Sequence, residues 1–133
     1  MGEKPTGTMR AVDLEAFRGW LERYFAAWAS NDPAEIESLF SRDAVYSWGP
    51  FRDEAVGRDA IVAAWVDGGA PPELRSRFEV LAVAGDRGVA HWSVSFDGDI
   101  GTTELDGILV CDFDADGRCT LHREWYDRRE PFF

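Results

Sequence analysis

Basic residues, cysteine and long apolar runs are all scarce in this chain, and each scarcity removes a class of function. Fourteen Lys and Arg face 25 Asp and Glu, for a net charge of -11. A phosphate backbone or an anionic membrane surface is repelled overall by such a chain, so neither nucleic acid nor membrane is an expected partner. No window approaches the roughly 18 apolar residues of a membrane span. The opening MGEKPTGTMR has no apolar stretch of the kind that directs export, so the cytoplasm is the expected compartment. Cysteine occurs twice. Cys111 and Cys119 flank DFDADGR, a tight hairpin whose register sets them on opposite faces of neighbouring strands, which argues against a disulfide. With no further Cys or His at ligand spacing they do not read as a zinc site, and no metal is expected.

What the chain has in excess is aromatic mass: six Trp, nine Phe and three Tyr in 133 residues. One domain of this size can bury a real core, and rings beyond its needs suggest a lined cavity. Residues 1–9, rich in Gly, Pro and Thr, predict a flexible tail, with one domain over residues 10–133. From Val12 to Ser30, Leu14, Phe17, Leu21, Tyr24, Phe25 and Trp28 recur at spacings of three and four, a helix with one broad buried face. Asn31 and Asp32 stop it. Asp32 then caps a second short helix with Pro33 at its first position and Ile36, Leu39 and Phe40 on one side. DAVYSWGPF alternates as a strand into a turn, and EAVGRDAIVAAWVDGG gives a short extended piece and a third helix ending at Gly68-Gly69.

After APPE the character changes to strand. Arg75 to Ala84, Gly88 to Asp97, Thr102 to Phe113 and Arg118 to Arg128 are joined by GDR, DGDIG and DADG, all turn chemistry. Although DADG looks like half of a calcium loop, the later ligands do not follow, so a hairpin is the expected structure. Asp59 at the start of the third helix disfavours a phosphate site there. Helices first and a long antiparallel meander after them give an α+β class.

This order resembles the nuclear transport factor 2-like superfamily, in particular SnoaL-like proteins and their ketosteroid isomerase relatives. The likeness is carried by RYFAAWASNDPAEIESLFSRDAVYSW (Arg23 to Trp48), VGRDAIVAAW (Val56 to Trp65) and DFDADGRCTLHREWYDR (Asp112 to Arg128). It implies a cone, a curved antiparallel sheet wrapped around three N-terminal helices, with an apolar pocket on the concave face. The superfamily holds isomerases, dehydratases, cyclases, epoxide hydrolases and non-catalytic binders, so the fold alone does not choose among them.

Alternation sorts the strands inside that cone. Ala90, Trp92, Val94 and Phe96 face inward, leaving His91, Ser93 and Ser95 outside. On the last strand, analogy with the ketosteroid isomerases puts His122, Glu124 and Tyr126 inside and Arg123, Trp125 and Asp127 outside. An outer face bearing Ile108, Val110, Leu121 and Trp125 fits a homodimer through the convex sheet. Of the ketosteroid isomerase apparatus, the resemblance keeps only the helix tyrosine, Tyr24; the two aspartate positions fall on Trp48 and Leu109. The substitute set is His122, Glu124 and Tyr24, since strand neighbours at i and i+2 lie about 6.5 to 7 Å apart on one face. Desolvation and mutual pairing would push the His and Glu pKa values in opposite directions, leaving their protonation open. Trp28, Trp48, Phe51, Trp65, Trp92, Phe96, Leu109, Cys111 and Tyr126 read as walls for a flat, largely apolar or aromatic molecule. Two functions stay open: a cofactor-independent isomerase, cyclase or dehydratase working by general acid/base catalysis, or a non-catalytic ligand-binding or dimeric interaction module. Equally, His122 and Glu124 could simply satisfy each other, and the aromatic residues could fill a closed core.

Overall fold

A computed structural model of the chain describes residues 12–131; the tail expected over residues 1–9 lies outside them. Helix α1 spans Leu14–Ser30 and buries Phe17, Leu21, Tyr24 and Phe25 of the predicted face together with Trp20, while Leu14 at its start is exposed and Trp28 is half-buried. Asp13 caps it by accepting from the Ala16 N–H, and Asn31 ends it in the left-handed conformation at φ 57°, a turn that asparagine tolerates better than most residues. Asp32 caps α2 (Pro33–Leu39) by accepting from the Ala34 N–H, so two caps back to back make the sharp corner between helices. The Trp20 indole donates to the Leu39 carbonyl at 3.0 Å and pins the two together.

Strand β1 (Phe40–Ser47) follows directly, then β2 (Glu54–Val56), α3 (Arg58–Gly68), β3 (Arg75–Ala84), β4 (Arg87–Gly98), β5 (Gly101–Phe113) and β6 (Cys119–Arg129). Six strands form one sheet in the order β2-β1-β6-β5-β4-β3. The expectation of a wholly antiparallel sheet needs one correction: β1 and β6 run parallel, with Tyr46 beside His122. Such a pairing joins segments far apart in the chain, and no local pattern announces it. DADG is a hairpin, with the Asp114 carboxylate accepting from the Asp116 and Arg118 N–H groups and Gly117 at φ 80°.

Ala90, Trp92 and Val94 are buried and Phe96 packs against the core, while His91 lies outside, hydrogen-bonded to Asp106 and near Glu79. Cys119 departs from expectation. Between Asp112↔Leu121 and Phe113↔Cys119 one step on β5 matches two on β6, and this bulge turns Cys119 to the inner face, where it and Cys111 are both buried free thiols. Gly107 is required where β5 faces Tyr126: a Cβ there would stand 2.2 Å from the Trp125 carbonyl oxygen and 2.6 Å from the Tyr126 Cβ.

Candidate active site

A cavity of about 500 Å³ opens between the inner sheet face, α1 and α3. Tyr24, Trp28, Trp48, Trp65, Trp92, Phe96, Glu124 and Tyr126, all expected from the sequence, line it, joined by Tyr46, Leu105 and the Gly68–Pro72 connection. A slightly larger groove of about 590 Å³ lies on the outer face. There Arg75 pairs with Asp97 and Arg129 with Glu104, so its charges largely answer one another, and it lacks the aromatic walls of a small-molecule site.

Four expected residues stand elsewhere. Phe51 is fully exposed on the turn after Trp48, because Gly49-Pro50 carries the chain outward before it. Leu109 and Cys111 are fully buried, in register with Glu124 and His122, and neither lines the cavity. His122, with 0% exposure, lies behind the cavity wall rather than in it.

Among the described residues, Glu124 is the one carboxyl in the cavity lining. Its Oε1 accepts from the Tyr46 hydroxyl at 3.0 Å and the Tyr24 hydroxyl at 3.3 Å, and the two hydroxyls lie 2.7 Å apart. The Oε2 atom makes no hydrogen bond among the described residues, yet it is not one of the occluded, unpartnered polar atoms. It is therefore the oxygen that meets the cavity. Burial pushes this carboxyl up to about 7, against the opposing pull of the two tyrosine bonds and, more weakly, the Arg52 charge. Both tyrosines are raised well above the usual phenol range, chiefly by burial and then by the neighbouring Glu124 charge. Their hydroxyls accordingly stay protonated, as donors, wherever Glu124 titrates.

His122 answers the question of opposing shifts. Its Nδ1 is 3.7 Å from Glu124 Oε1, too long for a hydrogen bond, and both ring nitrogens lack a partner among the described residues. Without a pairing to Glu124, desolvation drives the imidazole down to about 3, against only the smaller upward pull of its own backbone. At neutral pH the ring is uncharged. It stacks on Tyr46 at 4.1 Å between centroids and 8° between planes, and on Tyr24 at 5.2 Å and 18°. Its physical action is to back both rings that hold Glu124.

Tyr46 is the site residue that the sequence reading passed over. Alternation through Ala44, Tyr46 and Trp48 did carry the signal, since Ala44 and Tyr46 are buried on the inner face and Trp48 continues it into the cavity wall. Tyr46 has no counterpart among the three ketosteroid isomerase positions used to choose candidates.

Among the described residues no group of three or more His, Cys, Asp or Glu is placed to hold a metal ion, and no helix is long and apolar enough to cross a membrane. No curated protein sequence matches this one. Among solved structures, the chain is similar to an epoxide hydrolase/cyclase-like enzyme, SalBIII, described as having a role in pyran ring formation in the polyether salinomycin. The likeness has a TM-score of 0.72 at 14% identity and covers 86% of this chain and 93% of that one. An LEH-like epoxide hydrolase of M. tuberculosis aligns with a TM-score of 0.66 at 18% identity, over 85% of this chain and 83% of that one. At these identities the likeness is one of fold, the α+β cone. Residues 21–122 match the SnoaL-like domain family, and over that span the chain belongs to it.

Proposed function

We propose that this protein is a cofactor-independent isomerase or cyclase in which Glu124 is a single general acid/base acting on a small, largely apolar molecule. The observation that carries the reading is the division of labour within one carboxyl: Oε1 is held by two tyrosine hydroxyls and Oε2 opens to an aromatic-walled cavity. A carboxyl poised near neutrality is well matched to taking a proton from one substrate atom and returning it to another. In an isomerisation, Oε2 removes a proton from a carbon beside a carbonyl and delivers it to a second carbon. In a cyclisation, it takes the proton of the attacking hydroxyl and returns a proton to the oxygen that is released. One carboxyl completes either cycle with no net gain or loss of protons. Tyr24 and Tyr46 hold Oε1 throughout, which fixes the oxygen's aim. His122, expected to move protons, takes a different part here: it positions the tyrosines. The solved relatives named above support the cyclase side only to the extent that this fold accommodates such chemistry.

Hydrogen–deuterium exchange gives the test. β-Tetralone, a flat ketone with acidic α-hydrogens, is incubated with the protein in deuterated buffer and followed by NMR. Exchange above the buffer rate that disappears in Glu124→Gln supports the proposal. Exchange that is undiminished in that variant, or absent from the wild type, counts against it.

A separate observation favours a dimer. Trp125 is 43% exposed on the outer face, in register with Ile108, and we propose that a second copy of the chain covers this patch.

A further inference from the structure

A cation whose donors are mostly unspent lies against Tyr126, a residue of the cavity wall. Arg52 sits on the turn after Trp48, exposed, and its Nη1 donates to the Tyr126 hydroxyl at 3.2 Å. The guanidinium carbon lies 5.5 Å from the centroid of the Tyr126 ring, and Tyr126 is itself a cavity wall. Arg52, itself exposed, is thus held against one wall residue of the cavity. A guanidinium has five N–H donors, and the Tyr126 bond is the side-chain hydrogen bond that Arg52 makes among the described residues. No carboxylate pairs with it there, although Asp53 and Glu54 follow it in the chain. Arg128, the lining residue that is also cationic, is by contrast bonded to Glu130. The Arg52 charge is also felt at Glu124, where it weakly favours the ionised carboxyl.

We propose that Arg52 is a specificity-determining residue and that the molecule taken by this site is an apolar carboxylic acid, its ring system among the tryptophans and its carboxylate at the Arg52 guanidinium. A planar fork with two adjacent N–H groups free suits a carboxylate, and a single counter-charge suits a monoanion. The chain's net charge of -11 repels anions in general, so a rim cation confers selectivity that the rest of the surface does not. This rests on the reading of the cavity as the ligand site, and it names the substrate class for that site.

The test measures quenching of tryptophan fluorescence by naphthoate and by naphthamide, which share a ring system and differ in charge. It is run at about pH 5.5, where the probe acid is ionised and Glu124 is still protonated. Wild type is expected to bind naphthoate about tenfold more tightly, the size of one charge-assisted bond at a wet rim. Arg52→Gln is expected to bind both alike, and Arg52→Lys to recover part of the preference. Equal binding of the two probes by wild type, or a naphthoate preference that survives in Arg52→Gln, overturns the proposal while leaving the cavity reading standing. If wild type binds neither probe, both fall. Arg52 is exposed, so folding is not at risk.

Discussion

Replacing Glu124 by Gln keeps the side chain's shape while removing the titratable carboxyl that the proposed chemistry uses, and the consequence for stability is calculable from the structure. The Glu124 carboxyl is raised from 4.5 to about 7 by folding, so the folded chain holds this proton more tightly than the unfolded one. The favourable contribution is complete below the unfolded value and is lost as pH rises through about 7. A displacement of that size corresponds to about 3 kcal/mol. No discount for solvent screening applies, because Glu124 is only 5% exposed. Gln has no such titration, so the unfolding free energy of Glu124→Gln minus that of wild type should grow by about 3 kcal/mol in the variant's favour between about pH 4.5 and about pH 8. His122 acts with the opposite sign. Its depressed value contributes stability above 6.5 that is lost as pH falls toward about 3, but both proteins share it and it cancels in the difference. Urea unfolding followed by tryptophan fluorescence at matched pH values supplies the numbers, with equal slopes confirming equal surface exposed. A difference that stays flat to within about 0.5 kcal/mol over that range refutes the reasoning, whatever its absolute size.

Three other outcomes follow from the same geometry. His122→Phe keeps a ring against Tyr24 and Tyr46 and removes two unpartnered buried nitrogens, so it should fold at least as stably as wild type and retain β-tetralone exchange, whereas His122→Ala should lose about 2–4 kcal/mol in urea; a folded but inactive Phe variant would show that the imidazole itself moves protons. Gly107→Ala forces a Cβ against the β6 backbone and should cost about 1–3 kcal/mol while weakening naphthoate binding through displacement of Tyr126, an effect checked by urea unfolding and fluorescence quenching on one sample. Light scattering should give a mass near twice 14.9 kDa, falling toward the monomer value in Trp125→Glu; a wild-type monomer at all concentrations would contradict the covered outer face.

Alternation, caps and turn residues made most of the fold legible. The helix breaks at Asn31-Asp32 and the β3 to β6 boundaries lie where those signals put them, to within a residue or so. What escaped was non-local. The β6 bulge reversed the facing of Cys119, and the parallel β1–β6 pairing joins residues such as Tyr46 and His122 whose neighbourhood nothing in their flanking sequence encodes. The candidate site shows the same limit in another form. A period of two says which face of β6 a side chain occupies but not its depth in the cone, so His122 and Glu124 received the same role from the sequence and only Tyr126 was set apart, as a wall. In the fold they are respectively a backing for two tyrosines, a cavity carboxyl and part of the wall. Desolvation could be weighed against pairing only once the 3.7 Å His122–Glu124 separation was known.

The most direct measurement is the titration of Glu124 itself, followed by the carbon-13 shift of its side-chain carboxyl and assigned by its loss in Glu124→Gln. The structure predicts a midpoint near 7, raised from the ordinary carboxyl value of 4.5. A midpoint near 4.5, the ordinary carboxyl value, would mean that the carboxyl is solvated and too weak a base at neutral pH for the proposed proton transfers.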